Sequence, residues 1–312
     1  MTTRPVALVV VNFGTPRLVA DLLASLTAHD DQHLVAEVLL VDSGFPTRGD
    51  LRTSIAPDGW PFPVRFLQQT GTAYGAALTL GVHASTAPFV ALANSDLLWP
   101  PGAVLEPLIA ALERDTTSAA AGPQQVFPAG RWQRSFGPFP SVLEGLGSVF
   151  LLEAATNALR ARRMRRDAAP RPVPYLDGAF LVVRRAHFLR VKGFDPAFDY
   201  YAEDADLGWR FASEGWHCLF VPAARIQHLR GAETTAVSEA SYLRRLYAAK
   251  RRFVARHRGP WSGRAYGVLQ RIHGVTQALV YSAVALLARS PRWRVRAASA
   301  RTALRALWRG PT

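Results

Sequence analysis

Residues 6–16, which read VALVVVNFGTP, decide the fold. The run Val6–Phe13 predicts a strand that is buried on both faces, as the strands of a parallel sheet are. Thr15 and Pro16 then predict the start of a helix, because proline is favoured at the first helical position. Four leucines share one face of that helix and would cover the sheet: Leu18, Leu22, Leu23 and Leu26.

Three more predicted strands follow. They are Val38–Val41, Val64–Gln68 and Phe89–Ala93, and the segment before the last run predicts a helix to about His83. Strands that alternate with helices at this spacing predict an α/β fold with a largely parallel sheet covered on both faces.

The composition fits a globular protein with a large buried core. The chain has 312 residues, 49% of them hydrophobic, which allows one large or two ordinary domains. Its single cysteine, Cys218, excludes an intrachain disulfide framework and fits a reducing compartment. The apolar run Val6–Val11 is too short for the core of a signal peptide, so we expect a cytoplasmic protein.

The net charge of +14 is spread unevenly along the chain. Residues 240–312 carry 16 basic and no acidic side chains, whereas residues 1–239 carry 21 basic and 23 acidic ones. The chain therefore combines a nearly neutral body with a strongly cationic tail. A second basic run, 160–166, precedes a proline-rich stretch and predicts an exposed connection.

Polar and small residues follow the ends of the predicted strands. In open α/β sheets ligands bind beyond the carboxyl ends of the strands, where Asp42, Gly71 and Asp96 would meet. Asp42 could accept hydrogen bonds from a nucleotide base, or it could be a turn residue. Glycines at 71 and 75 would let the backbone approach a phosphate or ribose closely, a weak signal when taken alone.

The densest group of carboxylates lies between Tyr175 and His228. Its motifs are Gly178-Ala179-Phe180, then Gly193-Phe194-Asp195, then a Glu203-Asp204-Ala205-Asp206-Leu207 run that continues to Arg210, and finally a histidine. The acidic run alone has a simple alternative explanation, because carboxylates are favoured in the first turn of a helix.

Taken together and in this order, these motifs resemble those of the inverting family 2 glycosyltransferases, especially rhamnosyltransferase-like and galactofuranosyltransferase-like members that build bacterial surface polysaccharides. The resemblance covers about residues 5–235. It implies a GT-A fold, with a Rossmann-like, mostly parallel sheet between helices. Residues 1–110 would form the nucleotide-sugar-binding half, 111–239 the acceptor-binding and catalytic half, and 240–312 a basic helical extension.

The resemblance also implies roles for residues on the donor side. Asn94-Ser95-Asp96 matches the family's metal-binding motif, so Asp96 would anchor Mg²⁺ or Mn²⁺, which prefer oxygen ligands. His228 would reach the same cation, although a histidine after a strand can also be purely structural. The predicted donor-binding residues are Asn12, Asp42, Gly71, Gly75, Asn94 and Asp96.

An inverting transfer needs one base to take the proton of the attacking hydroxyl group. By the match to the family's acidic pair, Asp204 would be this base, with Glu203 as the second choice and Asp206 as a residue that caps or orients the helix. The predicted acceptor or sugar pocket consists of Asp177, Gly178 and Trp209. Asp177 could instead be a strand-end residue, and Trp209 a core residue.

The chain departs from the family pattern at two places. Many relatives carry a proline or a second aspartate where Ser95 stands, and an asparagine-rich stretch where this chain has Ala76, Ala77 and Thr79. The identity of the donor therefore stays open, and a deoxyhexose such as rhamnose is favoured by the resemblance only.

The tail predicts three helical segments with basic faces. Gly259 and Pro260 should separate the first from the second. The second contains 17 residues without a charge between Arg271 and Arg289, fewer than the roughly 20 needed to span a bilayer, so we expect an interfacial helix. In the third, apolar residues would share one side: Trp293, Ala297, Ala300, Leu304 and Leu307.

Basic amphipathic helices of this kind lie on anionic membrane surfaces. The alternative is a helical appendage whose basic face is solvated. The sequence thus predicts an inverting glycosyltransferase, peripheral on the inner face of the cell membrane, that moves a sugar from a nucleoside-diphosphate donor to a polyprenyl-linked or cell-envelope glycan. Two other classes stay open: a catalytically inactive sugar-nucleotide-binding scaffold, and a nucleic-acid-binding protein. Nucleic acid is not expected, since no reader motif accompanies the basic tail. The oligomeric state is left open.

Overall fold

A computed structural model describes residues 5–43, 51–69, 71, 73–150, 169–198, 201–229, 239–288 and 290–308. The chain divides into two compact units. The sheet unit comprises the described residues within 1–139, 167–199 and 203–235, and the helical unit those within 140–166, 200–202 and 236–312. The predicted boundaries at residues 110 and 239 stay a prediction, and the basic run 160–166 lies outside the described residues.

The sheet unit alternates strands and helices as the sequence predicts. Its strands are β1 (Val6–Asn12), β2 (Val35–Asp42), β3 (Val64–Gln68), β4 (Phe89–Asn94), β5 (Leu97–Leu98), β6 (Ser118–Val126), β7 (Phe136–Gly137), β8 (Arg171–Val173), β9 (Tyr175–Leu176), β10 (Phe180–Arg184) and β11 (His217–His228). Its helices are α1 (Pro16–Thr27), a short 3₁₀ helix (Asp30–Leu34), α2 (Leu51–Ser54), α3 (Tyr74–Ala84), α4 (Leu105–Arg114), α6 (Arg185–Arg190) and α7 (Glu203–Ser213).

The main sheet has the strand order β3-β2-β1-β4-β10-β6-β11-β5, with β8 paired to β11. Neighbours are parallel from β3 to β4, and β6 is parallel to β11. Strand β10 runs antiparallel between β4 and β6 and joins the two parallel groups. The predicted α/β class with a mostly parallel sheet is confirmed.

The core lies against both faces of this sheet. Every residue of β1 is buried, as its uninterrupted apolar run requires. Helix α1 buries Val19, Leu22, Leu23 and Leu26, so the predicted leucine face covers the sheet. One buried carboxylate, Asp31, is fully satisfied, because it accepts hydrogen bonds from the Trp99 indole and from two backbone N–H groups at the start of α4.

The helical unit contains α5 (Val142–Val149), α8 (Glu239–Arg258), α9 (Pro260–Ala288) and α10 (Pro291–Trp308). Gly259, with a φ of 91°, separates α8 from α9 where the sequence predicts a break. Within the described ranges, no helix is both long and apolar enough to cross a bilayer.

Candidate active site

The predicted donor residues meet at the carboxyl ends of β1, β2 and β4. Asn12 and Asp42 are the last residues of two paired strands, and the Asn12 side-chain amide donates to Asp42 Oδ1 at 3.2 Å. The hydroxyl groups of Thr15 and Ser95 are 3.0 Å apart, which joins the β1 end to the β4 end. The sheet register therefore brings together residues that lie far apart in the sequence.

Tyr74, at the start of α3, links Asn94, a predicted donor residue, to Gly178, a predicted acceptor residue. Its hydroxyl group donates to the side-chain oxygen of Asn94 and lies 3.2 Å from the carbonyl oxygen of Gly178. The tyrosine is buried, so this contact is shielded from bulk water. Sequence reasoning missed Tyr74, although a tyrosine at the first position of a helix beside a small-residue turn was a usable signal.

Residues 71 and 75 of the predicted turn are glycine for different structural reasons. Gly71 has a φ of 110°, a conformation that L side chains rarely adopt, and open space where a Cβ atom would lie. Gly75 is required by packing, because its Cβ atom would lie 2.7 Å from the Cβ atom of Phe194. The predicted contacts of both glycines with the donor stay predictions.

Asp96 and His228 lie side by side at the edge of the sheet. Both are buried, and His228 Nε2 is 3.3 Å from Asp96 Oδ1. That oxygen has no hydrogen-bond donor among the described residues, an expensive state for a buried carboxylate. The pair therefore suits a divalent cation in chemistry and placement. No cluster of three or more His, Cys, Asp or Glu that could hold a metal occurs in the described part of the chain.

Gln125, near the end of β6, connects this pair to the acceptor side. Its amide oxygen lies 3.2 Å from His228 Nδ1, and its amide nitrogen donates to Asp177 Oδ1 at 3.1 Å. The same carboxylate oxygen accepts the backbone N–H of Ala179. Asp177 is thus held by two donors and is more than an unconstrained strand-end residue.

Asp204 lies in the first turn of α7, with its carboxylate against the Gly178 loop. Its Oδ2 accepts the backbone N–H of Gly178 at 3.3 Å, and its Oδ1 accepts the backbone N–H of Ala205 at 2.7 Å. The helix approaches this closely because residue 208 is glycine: a Cβ atom there would lie 2.6 Å from the carbonyl oxygen of Pro174.

The pKa values of the acidic pair are raised. Burial raises the pKa of Asp204 to about 7, and the negative charge of Asp177 adds to the shift. Burial, followed by the charges of Asp204 and Asp177, raises the pKa of Glu203 to about 8. The positive end of a helix alone would stabilise carboxylates as anions. Helix initiation alone therefore does not explain the Asp204 and Glu203 carboxyl groups. At neutral pH Asp204 can take up a proton.

Asp206 and Arg210 have a structural role. Asp206 is fully buried and pairs with the Arg210 guanidinium group at 2.7 Å. The guanidinium group also donates to the carbonyl oxygens of Val191 and Gly193. The Asp206–Arg210 pair thereby holds the tight turn of the Gly-Phe-Asp motif, where residues 192 and 193 have positive φ values.

Trp209 belongs to an aromatic group beside the carboxylates. Its ring lies 5.1 Å from that of Phe139, which in turn stacks on Tyr175. The exposed Arg134 donates to the Tyr175 hydroxyl group at 3.0 Å, and its positive charge opposes the rise in the pKa of Asp204. Sequence reasoning missed Arg134, because no local motif surrounds it. The acceptor role of Trp209 stays a prediction.

A model of a known protein family matches most of the chain. The model for "Glycosyltransferase like family 2" matches residues 4–248. The chain belongs to this family. The N-acetylglucosaminyl-diphospho-decaprenol L-rhamnosyltransferase of Mycobacterium tuberculosis is 35% identical over 179 residues, which are 55% of this chain and 57% of the relative. Rhamnosyltransferase WbbL of Escherichia coli is 39% identical over 56 residues, 18% of this chain and 21% of the relative. The chain thus matches little more than half the length of the first relative.

Two solved structures share the fold. The mannosyltransferase PcManGT from Pyrobaculum calidifontis, in complex with GDP-Man and Mn²⁺, aligns with a TM-score of 0.57 at 17% identity and covers 97% of this chain and 87% of its own. GalNAc-T7 with UDP, GalNAc and Mn²⁺ aligns with a TM-score of 0.53 at 15% identity, covering 81% and 50%. The predicted GT-A fold with a helical C-terminal region and the predicted rhamnosyltransferase-like family membership are confirmed.

Proposed function

We propose that the protein is an inverting glycosyltransferase in which Asp204 is the catalytic base. The observation that carries this proposal is the position of the Asp204 carboxylate, which accepts the Gly178 backbone N–H in a family 2 glycosyltransferase domain. Burial and the nearby charge of Asp177, which raise its pKa, add support. The acceptor hydroxyl group would lose its proton to Asp204 as its oxygen bonds to the anomeric carbon. The bond from that carbon to the donor diphosphate breaks on the opposite face, which inverts the configuration.

Asp96 and His228 would hold Mg²⁺ or Mn²⁺ beside the donor diphosphate. When bound, such a cation neutralises the negative charge that grows on the leaving group. Oδ1 of Asp96 faces His228 and has no hydrogen-bond donor among the described residues, which supports this assignment. Mn²⁺ is also named with both structural relatives. Two protein ligands suffice for Mg²⁺-like sites, because substrate phosphates and water commonly complete the coordination.

The donor would lie over the ends of β1, β2 and β4. Asp42, oriented by the Asn12 amide, would accept hydrogen bonds from the nucleotide base, while Asn94 and the glycines at 71 and 75 would line the phosphates and sugar. A deoxyhexose such as rhamnose is the proposed sugar, supported by the rhamnosyltransferase relatives. The acceptor would be a polyprenyl-linked or cell-envelope glycan bound near Asp177, Gly178 and Trp209.

The basic C-terminal helices would bring this reaction to an anionic membrane surface. Their charge supports this part of the proposal, since residues 240–312 carry 16 basic and no acidic side chains. A location on the inner, cytoplasmic face of the cell membrane stays a prediction.

The function is tested by incubating the full chain with Mn²⁺, membrane lipid extract and a panel of nucleoside-diphosphate sugars. We expect one sugar to be transferred with release of nucleoside diphosphate, and NMR of the product to give the anomeric configuration opposite to that of the donor. Asp204→Asn is the control for background hydrolysis. A chain that binds a donor but releases no nucleoside diphosphate would instead be a scaffold.

A further inference from the structure

Helix α9 has an inverted pattern of polarity. The side that it packs against the rest of the helical unit consists mostly of small or polar residues: Gly263, Tyr266, Gly267, Gln270, Gly274 and Ala278. The opposite side exposes large apolar side chains, with Trp261 75%, Leu279 66% and Leu286 79% exposed. A helix on the surface of a water-soluble domain shows the reverse, with its apolar stripe turned inward.

Six of the eight large apolar residues that α9 exposes form one continuous stripe, and Val280 and Leu287 lie outside it. Its members are Trp261, Val268, Ile272, Val275, Leu279 and Leu286. Their spacing of seven, four, three, four and seven residues keeps them within about 60° of one another on a helix of 3.6 residues per turn. At 1.5 Å per residue the apolar stripe extends over about 38 Å. This regular stripe differs from the single, scattered apolar residues that protein surfaces normally expose.

The close packing on the buried side explains how this inversion is tolerated. A Cβ atom at Gly263 would lie 2.5 Å from the Cβ atom of Ala255, and one at Gly274 would lie 2.8 Å from a methyl group of Leu307. Helix α10 likewise buries alanines: Ala297, Ala300, Ala303 and Ala306. Small residues at helix contacts, with large apolar residues turned outward, are typical of helices in contact with lipid.

The charge around the apolar stripe identifies the partner. Arg264 and Arg271 are exposed along one edge of it, and they belong to a segment without any acidic residue. Every exposed Leu, Ile, Val, Phe or Trp side chain of the described residues lies in the helical unit, and none in the sheet unit. Apolar area bordered by arginines complements acyl chains beneath anionic headgroups.

From these observations we propose that α9 lies flat in the interface of an anionic bilayer, with the apolar stripe inserted among the acyl chains. The inference rests on the proposed membrane location of the transfer reaction. It corrects the expected contact side of the tail: Leu304 and Leu307 are half-buried and pack near Gly274, so α10 does not present them as an insertion surface.

The test uses full-length protein and vesicles of phosphatidylcholine with phosphatidylglycerol. The pair Leu279→Gln and Leu286→Gln keeps the charge, and its matched control is Leu287→Gln with Val295→Gln, two exposed apolar positions off the stripe. We expect the stripe pair to lower vesicle partitioning about tenfold or more, because each buried leucine is worth at least about that factor. The control pair should change it far less.

Two further readouts separate insertion from adsorption. Arg264→Gln with Arg271→Gln should weaken the salt-sensitive part of the binding, since 14 basic residues of the tail remain, whereas the stripe pair should lower the binding that persists at high salt. Brominated acyl chains should quench tryptophan fluorescence, and Trp261→Phe should remove much of that quenching. Equal losses from the stripe and control pairs, or a stripe-dependent dimer that ignores vesicles, would overturn the proposal. The vesicle assay needs no catalysis, so failure of the proposed transfer activity would be seen separately.

A second, independent inference concerns Gln125. The orientation of its amide is fixed by Asp177, because a carboxylate only accepts hydrogen bonds and must therefore face the amide nitrogen. The amide oxygen then faces His228 Nδ1, which must carry the hydrogen. In a neutral imidazole ring this leaves the lone pair on Nε2, the atom that lies 3.3 Å from Asp96 Oδ1.

We infer that Gln125 is a positioning residue that holds His228 with Nε2 ready to bind the cation and couples that ligand to Asp177. In that tautomer the Nε2 lone pair and the Asp96 carboxylate lie on the same side, where one cation could bind both. This inference rests on the proposed metal site. Hydrogen bonds to metal-binding histidines commonly change metal affinity by about 10- to 100-fold.

Gln124 supplies a matched control. It is buried in the same strand, and its amide nitrogen donates to the Ser135 hydroxyl group and to the backbone carbonyl groups of Gln125 and Gln133. None of these hydrogen bonds involves the side chain of His228, Asp177 or Gln125. We expect Gln125→Leu to weaken Mn²⁺ binding in the presence of nucleoside diphosphate by about 10- to 100-fold. Gln124→Leu should leave it unchanged, and thermal melting should verify that both variants fold.

The tautomer gives a readout that a purely structural role would not change. In long-range ¹H–¹⁵N spectra of the metal-free protein, assigned with His228→Asn, the neutral ring of wild type should keep the hydrogen on Nδ1, and Gln125→Leu should lose that preference. Unchanged Mn²⁺ affinity and tautomer in Gln125→Leu would refute the inference. Asp96→Ala separates the metal site from the positioning role of Gln125. Retained Mn²⁺ binding in that variant would refute the metal site itself.

Discussion

The side chain of Asp204 is tied to the backbone of Gly178 by a hydrogen bond of 3.3 Å. This bond joins the first turn of α7 to the loop that leads into β10. It aims one carboxylate oxygen at the Gly178 loop, beside Asp177, and makes the position of the proposed base depend on two separate elements of the fold.

Asp204→Asn should abolish transfer while donor affinity changes little. The amide oxygen can still accept one of the two backbone N–H groups that the carboxylate holds, from Gly178 or from Ala205. The amide nitrogen must face the other, so one local hydrogen bond and the basicity are lost. We expect kcat to fall by about 10² to 10⁴, the usual worth of a positioned base. Nucleoside diphosphate release measures the rate, and calorimetry measures donor binding. Near-normal turnover in this variant would move the base to Glu203 or Asp177.

The transfer rate should depend on pH in the neutral range. The base acts only when ionised, and the pKa of Asp204 is raised to about 7. We therefore expect kcat to fall as the pH drops below about 7 and to level off above it. The measurement is a pH series at saturating donor and metal, with donor binding checked at each pH. A rate that is flat from pH 5 to 8 would contradict the assignment.

Glu203→Gln should become more stabilising as the pH rises. The pKa of Glu203 is raised from 4.5 to about 8 in the folded state, so its protonated form contributes stability that is complete below pH 4.5 and lost as the pH rises through 8. Glutamine keeps the neutral shape at every pH. The difference in melting temperature between variant and wild type, measured with chelator, should grow over this interval. A constant difference would mean that Glu203 is ionised in the folded protein.

The Asp206–Arg210 pair should matter more for stability than a surface pair of similar length. Asp206 is completely buried, so Asp206→Ala leaves a charged guanidinium group without its partner and should cost about 3 to 5 kcal/mol of unfolding free energy. The matched control is Glu214→Ala, which breaks the exposed 2.8 Å pair with Arg190 and should cost at most about 1 kcal/mol. Urea denaturation of both variants measures the contrast.

Gly75→Ala should destabilise the protein although alanine favours helices. The new Cβ atom would meet Phe194 at 2.7 Å, and overpacking of this kind costs about 1 to 3 kcal/mol. Gly147→Ala is the control, since this glycine lies in helix α5 with no heavy atom within 4 Å of a Cβ position. There we expect stabilisation by about 0.5 to 1 kcal/mol. A stabilising Gly75→Ala would mean that α3 shifts freely relative to the Gly-Phe-Asp turn.

The sequence was sufficient for the elements whose signal is local. Strands β1 and β4 were predicted because each is a buried apolar run. Strand β2 begins at Val35, three residues before the predicted Val38, and β3 was predicted although Arg65 and Gln68 leave it partly exposed. The break at Gly259 was predicted because a glycine followed by a proline ends a helix. The antiparallel insertion of β10 between β4 and β6 was not predicted, because pairing between distant segments leaves no periodic signal.

The candidate site was predicted in part for the same reason. Motif matches located Asp96, Asp204 and His228, but Gln125 and Arg134 have no surrounding pattern and act through distant partners. Two consecutive glutamines at the end of the otherwise small and apolar strand Ser118–Val126 were the one available sign of a buried polar network. The outward-facing stripe of α9 needed the structure, since periodicity alone does not tell which side of a helix is buried.

The position of β6 in the sheet has a consequence for the order in which the chain can fold during synthesis. Its strand partners, β10 and β11, both come later in the sequence. At about 5 to 20 residues per second, the ribosome reaches Phe180 about 3 to 11 s after Val126. During that delay the N-terminal half can assemble only as far as β4, with an open edge where β10 will insert. We expect nascent chains stalled in this interval to be the species that chaperones and proteases meet.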